Sequence, residues 1–115
     1  MREGRRNKYG VRIDALGKES RTLDGHCFGS LKELDRYAQL KLLQRVGEIR
    51  GLELQPPFRL EVNGIHICDY VGDFRYWDVR QKCQVVEDVK GHRTDEYKIK
   101  AKLMLACYGI TILET

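Results

Sequence analysis

The sequence predicts an α/β fold in which a mixed β-sheet is flanked by helices, in the order helix, three strands, helix, strand. Three observations predict it. Apolar residues recur at helical spacing over residues 31–46 and again over 95–106. Between those stretches, Phe58-Arg59-Leu60-Glu61-Val62 alternates apolar and polar side chains as a half-buried strand does, and two similar runs follow it. The pair Asn63-Gly64 sits between the first two runs, where it marks a tight hairpin.

Taken in order, Leu23-Asp24-Gly25-His26 reads as a turn, and Ser30-Leu31-Lys32-Glu33 has the form of a capping box that opens the first helix. Leu31, Leu34, Ala38, Leu42 and Val46 form one apolar stripe, expected to pack on the sheet, and Gly47 is the expected stop. Tyr37, Leu40 and Leu43 make a second apolar set on the opposite side, so the helix is expected to be covered twice, by the N-terminal segment or by another subunit. Gln55-Pro56-Pro57 breaks the chain before the first strand. The second strand is expected from about Ile65 to Trp77, a polar turn near Asp78 to Lys82, and the third strand from Gln84 to Lys90. Thr94 caps the second helix, which carries Tyr97, Ala101, Met104 and Leu105, and Ile110 to Leu113 is the closing strand.

Composition bounds the function. A chain of 115 residues with 42% hydrophobic content makes one compact domain and is too short for two ordinary ones. It has no apolar run of the length of about 20 residues that a bilayer requires, and Met1-Arg2-Glu3-Gly4-Arg5-Arg6 is not a secretory signal, so a soluble, cytoplasmic protein is expected. Cys27, Cys68, Cys83 and Cys107 lack a Cys-x-x-Cys pair and read as free thiols, and His66, Cys68 and Cys83 match no common zinc spacing. His26, His66 and His92 have no partner at a spacing typical of a histidine nuclease and read as turn or surface residues.

Residues 1–21 hold seven basic side chains against three acidic ones, which accounts for the whole net charge of +4. A basic arm over residues 1–22 is therefore expected ahead of a single domain over 23–115, with Arg5, Arg6, Lys8 and Arg12 placed to meet a nucleic-acid backbone. Lys98 and Lys102, one helical turn apart on the second helix, are further candidates for DNA phosphates.

The chemistry gathers in Tyr70-Val71-Gly72-Asp73-Phe74 and Val85-Val86-Glu87-Asp88-Val89-Lys90-Gly91. Strand alternation puts Asp88 and Lys90 on one surface, with Val89 and Glu87 pointing the other way. Two carboxylates suit a hard divalent cation, which takes oxygen ligands and bridges to phosphate oxygens, and a lysine offsets the charge that builds in phosphodiester hydrolysis.

An aspartate on the second strand and Asp-x-Lys on the third, in this order of elements, resemble the PD-(D/E)xK nuclease superfamily, with Gly72 where the family often has proline and Asp88 where glutamate is commoner. Phe28-Gly29-Ser30-Leu31-Lys32-Glu33, Tyr70 to Phe74 and Val86 to Gly91 also resemble, in order, motifs of phage-type endonuclease I, the Holliday junction resolvases. The chain is similar throughout to a related uncharacterised phage protein family. The resemblance covers roughly residues 24–105. It implies a restriction-endonuclease-like core, Asp73 and Asp88 as metal-binding carboxylates, Lys90 as catalytic lysine, and Glu33 as the helical glutamate completing the metal site, with the Val89 carbonyl as a further ligand. It also implies Mg²⁺, or Mn²⁺, as cofactor and branched DNA as substrate in phage recombination or replication.

Symmetric cutting of two strands is most simply met by a twofold dimer, so a homodimer is expected. The rival to Glu33 as ligand is the capping box itself. The rival to the enzyme is a non-catalytic DNA-binding accessory factor of phage recombination or replication, or a subunit that docks on other replication proteins.

Overall fold

The computed structural model describes residues 20–115. The chain divides between Gln39 and Leu40 into two compact units. Residues 1–19 of the expected basic arm, with Arg5, Arg6, Lys8 and Arg12, lie outside the described residues, whereas Arg21 and Thr22 join the first unit.

In the first unit, β1 (Thr22–Leu23) pairs antiparallel with β2 (His26–Cys27) across the turn read at Asp24-Gly25. The Arg21 carbonyl accepts from the Phe28 amide at 2.9 Å, and the buried Arg21 Nε donates to the Phe28 carbonyl at 2.8 Å. Phe28 packs on Tyr37, with ring centroids 4.8 Å apart, and the Tyr37 hydroxyl donates to Asp24 at 2.7 Å.

Helix α1 (Leu31–Arg45) starts where the capping box predicts: the Glu33 amide donates to Ser30 Oγ at 3.1 Å. It stops where expected too, with the Gly47 amide on the Gln44 carbonyl at 3.1 Å and the Glu48 amide on the Leu43 carbonyl at 2.9 Å, a Schellman closure. The expected core stripe is corrected. Leu31, Leu42 and Val46 are more than half exposed, and the buried residues are Tyr37 and Leu40. Burying Tyr37 removes a large ring from water and gives its hydroxyl a partner in Asp24, which orients the helix toward the second apolar set.

The second unit holds the sheet. Its order is β3 (Ile49–Leu54), β6 (Phe74–Asp78), β7 (Cys83–Asp88), β8 (Leu113–Glu114), with β3–β6 and β6–β7 antiparallel and β7–β8 parallel. A hairpin, β4 (Pro57–Val62) with β5 (Ile65–Val71), forms a separate antiparallel pair around Asn63-Gly64. Helix α2 (Asp95–Tyr108) is capped by Thr94, whose Oγ1 accepts from the Tyr97 amide at 3.0 Å, and packs on β4 and β5. Phe58, Leu60, Tyr70, Val86, Tyr97 and Met104 form the core between hairpin, sheet and α2.

Three sequence expectations are corrected here. The first strand of the sheet is β3, not Phe58–Val62. It escapes a period-two reading because a bulge between Arg50 and Glu53 shifts its register. The long strand expected over 65–77 is two strands, since the chain changes partners at Gly72-Asp73: the Gly72 amide donates to the Pro56 carbonyl, the Gln55 amide to the Asp73 carbonyl and the Asp73 amide to the Glu87 carbonyl, each at 3.0 Å. The closing strand begins at Leu113, because Ile110 and Ile112 spend their apolar surface against the core instead.

The architecture of the described residues is thus mixed α/β, with two helices and several sheets. No helix among the described residues is long and apolar enough to cross a membrane.

Candidate active site

Strand β7 ends at Asp88, which puts Val89 and Lys90 just beyond the sheet rather than in it. Asp88 is 5% exposed, so its charge needs partners. Lys90 Nζ lies 3.0 Å from Asp88 Oδ1, and the Tyr70 hydroxyl donates to Oδ2 at 2.5 Å. Lys90 Nζ also sits 3.9 Å from the centre of the Tyr97 ring, a cation–π contact that holds the ammonium beside the carboxylate.

Asp73 enters from the break between β5 and β6. Its Oδ2 accepts from the Val89 amide at 2.7 Å, tying the first motif to the middle residue of the second. Beyond Lys90 the backbone is fixed by residues far along the chain: the Thr115 amide donates to the Asp88 carbonyl at 3.0 Å and the Lys90 amide to the Thr115 carbonyl at 3.1 Å. The structure therefore brings Asp73, Asp88, Val89 and Lys90 together at one end of β7.

Glu33 belongs to the first unit and the other three candidates to the second. Its Oε2 lies 3.4 Å from where a Cβ on Gly29 would stand, so the side chain turns back over the start of its own helix. Glu87 faces away from Asp88, fully buried and taking the Tyr76 hydroxyl, as alternation requires.

The electrostatics follow from this packing. Burial, then the Asp88 hydrogen bond and charge, then Tyr97 and Asp73, hold the Tyr70 phenol well above its ordinary range. Tyr97 is raised by burial and by its 3.1 Å bond to Glu114, with the Asp88 charge adding to it. Both phenols are thereby kept protonated beside the carboxylates they neighbour.

A cleft of about 310 Å³ opens over Asp88 and Lys90, lined also by Asp69, Tyr70, Tyr97 and Lys100, with Asp73 and Val89 outside its lining. Lys100 was not singled out by sequence. It points into the cleft and pairs with Glu96 at 3.1 Å, whereas Lys98 and Lys102 lie on the outer face of α2, where with Arg93 they line a separate groove of about 400 Å³. Lys98 is 3.8 Å from Asp95, and Lys102 has no ion-pair partner among the described residues. His66 pairs with Asp69 at 2.8 Å, and the four cysteines are free thiols.

Residues 17–112 match the family described as "Protein of unknown function (DUF1064)". The chain belongs to that family. The match spans every element of both units from β1 to α2, so the DUF1064 region contains Glu33, Asp73, Asp88 and Lys90 alike. No curated protein and no solved structure matches the chain.

Proposed function

We propose that this DUF1064 protein is a metal-dependent DNA endonuclease that hydrolyses phosphodiester bonds, acting on branched DNA in the manner of a Holliday junction resolvase. The observation that carries the reading is the junction of Asp88 and Lys90 at 3.0 Å with Asp73 joined to the intervening Val89 at 2.7 Å, beside a cleft. The element order supports a restriction-endonuclease-like core. With the β4–β5 hairpin set aside as an insertion, the chain runs α1, β3, β6, β7, α2, β8, with Asp73 immediately ahead of the second core strand and Asp-x-Lys at the end of the third.

The donor set fits Mg²⁺ or Mn²⁺. Asp73 and Asp88 offer only oxygen donors, which these hard cations take, and the Val89 carbonyl stands between Asp88 and Lys90 in sequence. Glu33 is the remaining proposed ligand. When bound, the ion supplies charge neutralisation at the phosphate and activation of water. The chain's own part is separate from this. Lys90, positioned by Asp88 and Tyr97, donates to a phosphoryl oxygen and offsets charge as it develops; Lys100 adds a second cation in the cleft; Tyr70 fixes the rotamer of Asp88. Lys98, Lys102 and the basic side chains Arg5, Arg6, Lys8 and Arg12 serve as phosphate contacts, and a homodimer supplies two sites for paired cuts.

One observation favours a second reading, a non-catalytic DNA-binding accessory factor: both Asp88 oxygens already accept internal donors, from Lys90 and Tyr70. A labelled four-way junction and a matching linear duplex, incubated with Mg²⁺ or EDTA, separate the two. Symmetric metal-dependent cuts that vanish in Asp73→Ala, and a Lys90→Met enzyme that folds but loses about 100-fold or more in rate, support the nuclease. Junction binding without any cleavage supports the accessory factor. Sedimentation of the wild type as a monomer, with and without DNA, would count against paired junction cutting.

A further inference from the structure

The open end of the sheet, away from the cleft, carries an arrangement that hydrolysis does not use. Arg50 on β3 lies directly opposite Trp77 on β6, and Trp77 directly opposite Gln84 on β7. Residues paired in this way share a face, so a cation, an indole and a primary amide stand in a row across three adjacent strands. Arg50, Arg75, Trp77 and Gln84 line a groove of about 630 Å³ whose floor includes Gly51.

The groove is built by the bulge. Gly51 is left-handed (φ +68) and a Cβ there would meet nothing within 4 Å, so the floor is bare backbone beneath open space. The extra residue does not leave an unmet donor, since the Leu52 amide donates to the Gln44 side chain at 2.9 Å. Bulges re-aim neighbouring side chains, and here Arg50 is carried over the Trp77 ring, with its guanidinium carbon 5.9 Å from the ring centre. Arg75 and Arg80 are paired with Glu53 and Glu48, whereas Arg50 has no carboxylate partner among the described residues. Trp77 is 38% exposed, an unusual position for the largest aromatic side chain.

We propose that this row is a subsite for an unpaired nucleotide of a DNA strand: the base stacks on Trp77, Gln84 meets the base edge, and Arg50 takes a flanking phosphate. The inference rests on the DNA reading above and extends it to single-stranded character in the substrate. Stacking on an aromatic side chain tolerates any base and requires that the base be out of a duplex. Gln84 and Asp88 lie on the same face of β7, about 13 Å apart along the strand, a distance that a DNA strand covers in a few nucleotides.

Trp77 is the sole tryptophan of the chain, so its emission reports on this surface alone. The full-length protein in EDTA at low salt is titrated with a short oligothymidylate, with a duplex of equal length and with thymidine monophosphate, while anisotropy of a labelled oligothymidylate measures binding anywhere on the protein. Saturable quenching by the single strand, weaker quenching by the duplex and the mononucleotide, and losses of about tenfold in affinity for Arg50→Ala and Trp77→Ala are expected, with Trp77→Phe retaining most of the affinity. Unchanged emission at saturating oligonucleotide, or unchanged affinity in both alanine variants, overturns the inference. Metal-dependent cleavage is scored in parallel on the wild type: cleavage with unquenched Trp77 sinks the subsite and leaves the nuclease standing, and quenching without cleavage does the reverse.

Discussion

Gly72 occupies the position at which the resembled nucleases often have proline, yet replacing it by proline should destabilise this protein. A Cβ at residue 72 would stand 3.1 Å from Val86 Cγ1 and 3.4 Å from Pro56 Cγ. Val86 is fully buried among Phe58, Leu60 and Tyr70, so its methyl has little room to yield. Overpacking of this kind costs about 1–3 kcal/mol. A less flexible unfolded chain returns about 0.4–1 kcal/mol, so Gly72→Ala should lose about 1–2 kcal/mol. Proline additionally forfeits the amide that donates to the Pro56 carbonyl at 3.0 Å, a bond that contributes about 1 kcal/mol net, so Gly72→Pro should lose about 2–3 kcal/mol. Urea unfolding followed by circular dichroism measures both, and the ordering wild type, alanine, proline is as informative as the sizes. A Gly72→Pro variant within about 0.5 kcal/mol of wild type would refute the argument, because neither the close approach nor the strand-switching hydrogen bond would then constrain the chain.

Tyr70→Phe removes a hydroxyl that donates to a nearly buried carboxylate and should cost about 2 kcal/mol in the same assay. In an alkaline titration followed by phenolate absorbance, Tyr37, Tyr70 and Tyr97 should ionise later than exposed tyrosine, with Tyr37 pushed up to about 12 by burial and by Asp24. Folded values above the unfolded one mean stabilisation that is full below about pH 10 and lost as pH rises through the raised values; ionisation of all tyrosines together near pH 10 would contradict it. Glu33→Gln keeps the capping box, so stability should change by less than about 0.5 kcal/mol. If the carboxylate completes the metal site, cleavage should fall at least about tenfold; unchanged cleavage would assign Glu33 to the helix start alone.

What sequence made legible was local. The Ser30 and Thr94 caps and the Gly47 stop each resolve within one turn of helix, and their hydrogen bonds fall where the residues predict. The approach of Asp73 to the Asp88–Lys90 motif was inferred from element order. Its geometry, through the Val89 amide, was not. Long-range choices were hidden. Both faces of α1 are apolar, and contacts to Phe28 and Asp24 accompany the inward turn of Tyr37. Tyr70 carried no role of its own in the sequence because its acceptor lies 18 positions later. Strand β3 was missed because the Gly51 bulge breaks the alternation that identifies a strand, and with β3 went the Arg50–Trp77–Gln84 row.

The bonds from Thr115 to Asp88 and Lys90 have a consequence for how the protein is made. During synthesis at about 5–20 residues per second, the acidic pair and the lysine are made ahead of the segment that locks their backbone. The strand pairings of the hairpin and of the antiparallel part of the sheet are complete by residue 88, whereas α2, which packs on the hairpin, and the parallel β7–β8 pair come later. A chain truncated after Tyr108 would therefore keep every residue of both helices and leave the end of β7 unlatched. On the reading proposed here, the aspartate and lysine at the end of β7 are fixed in place only when the parallel pair closes, so folding of β8 and completion of the site are one event.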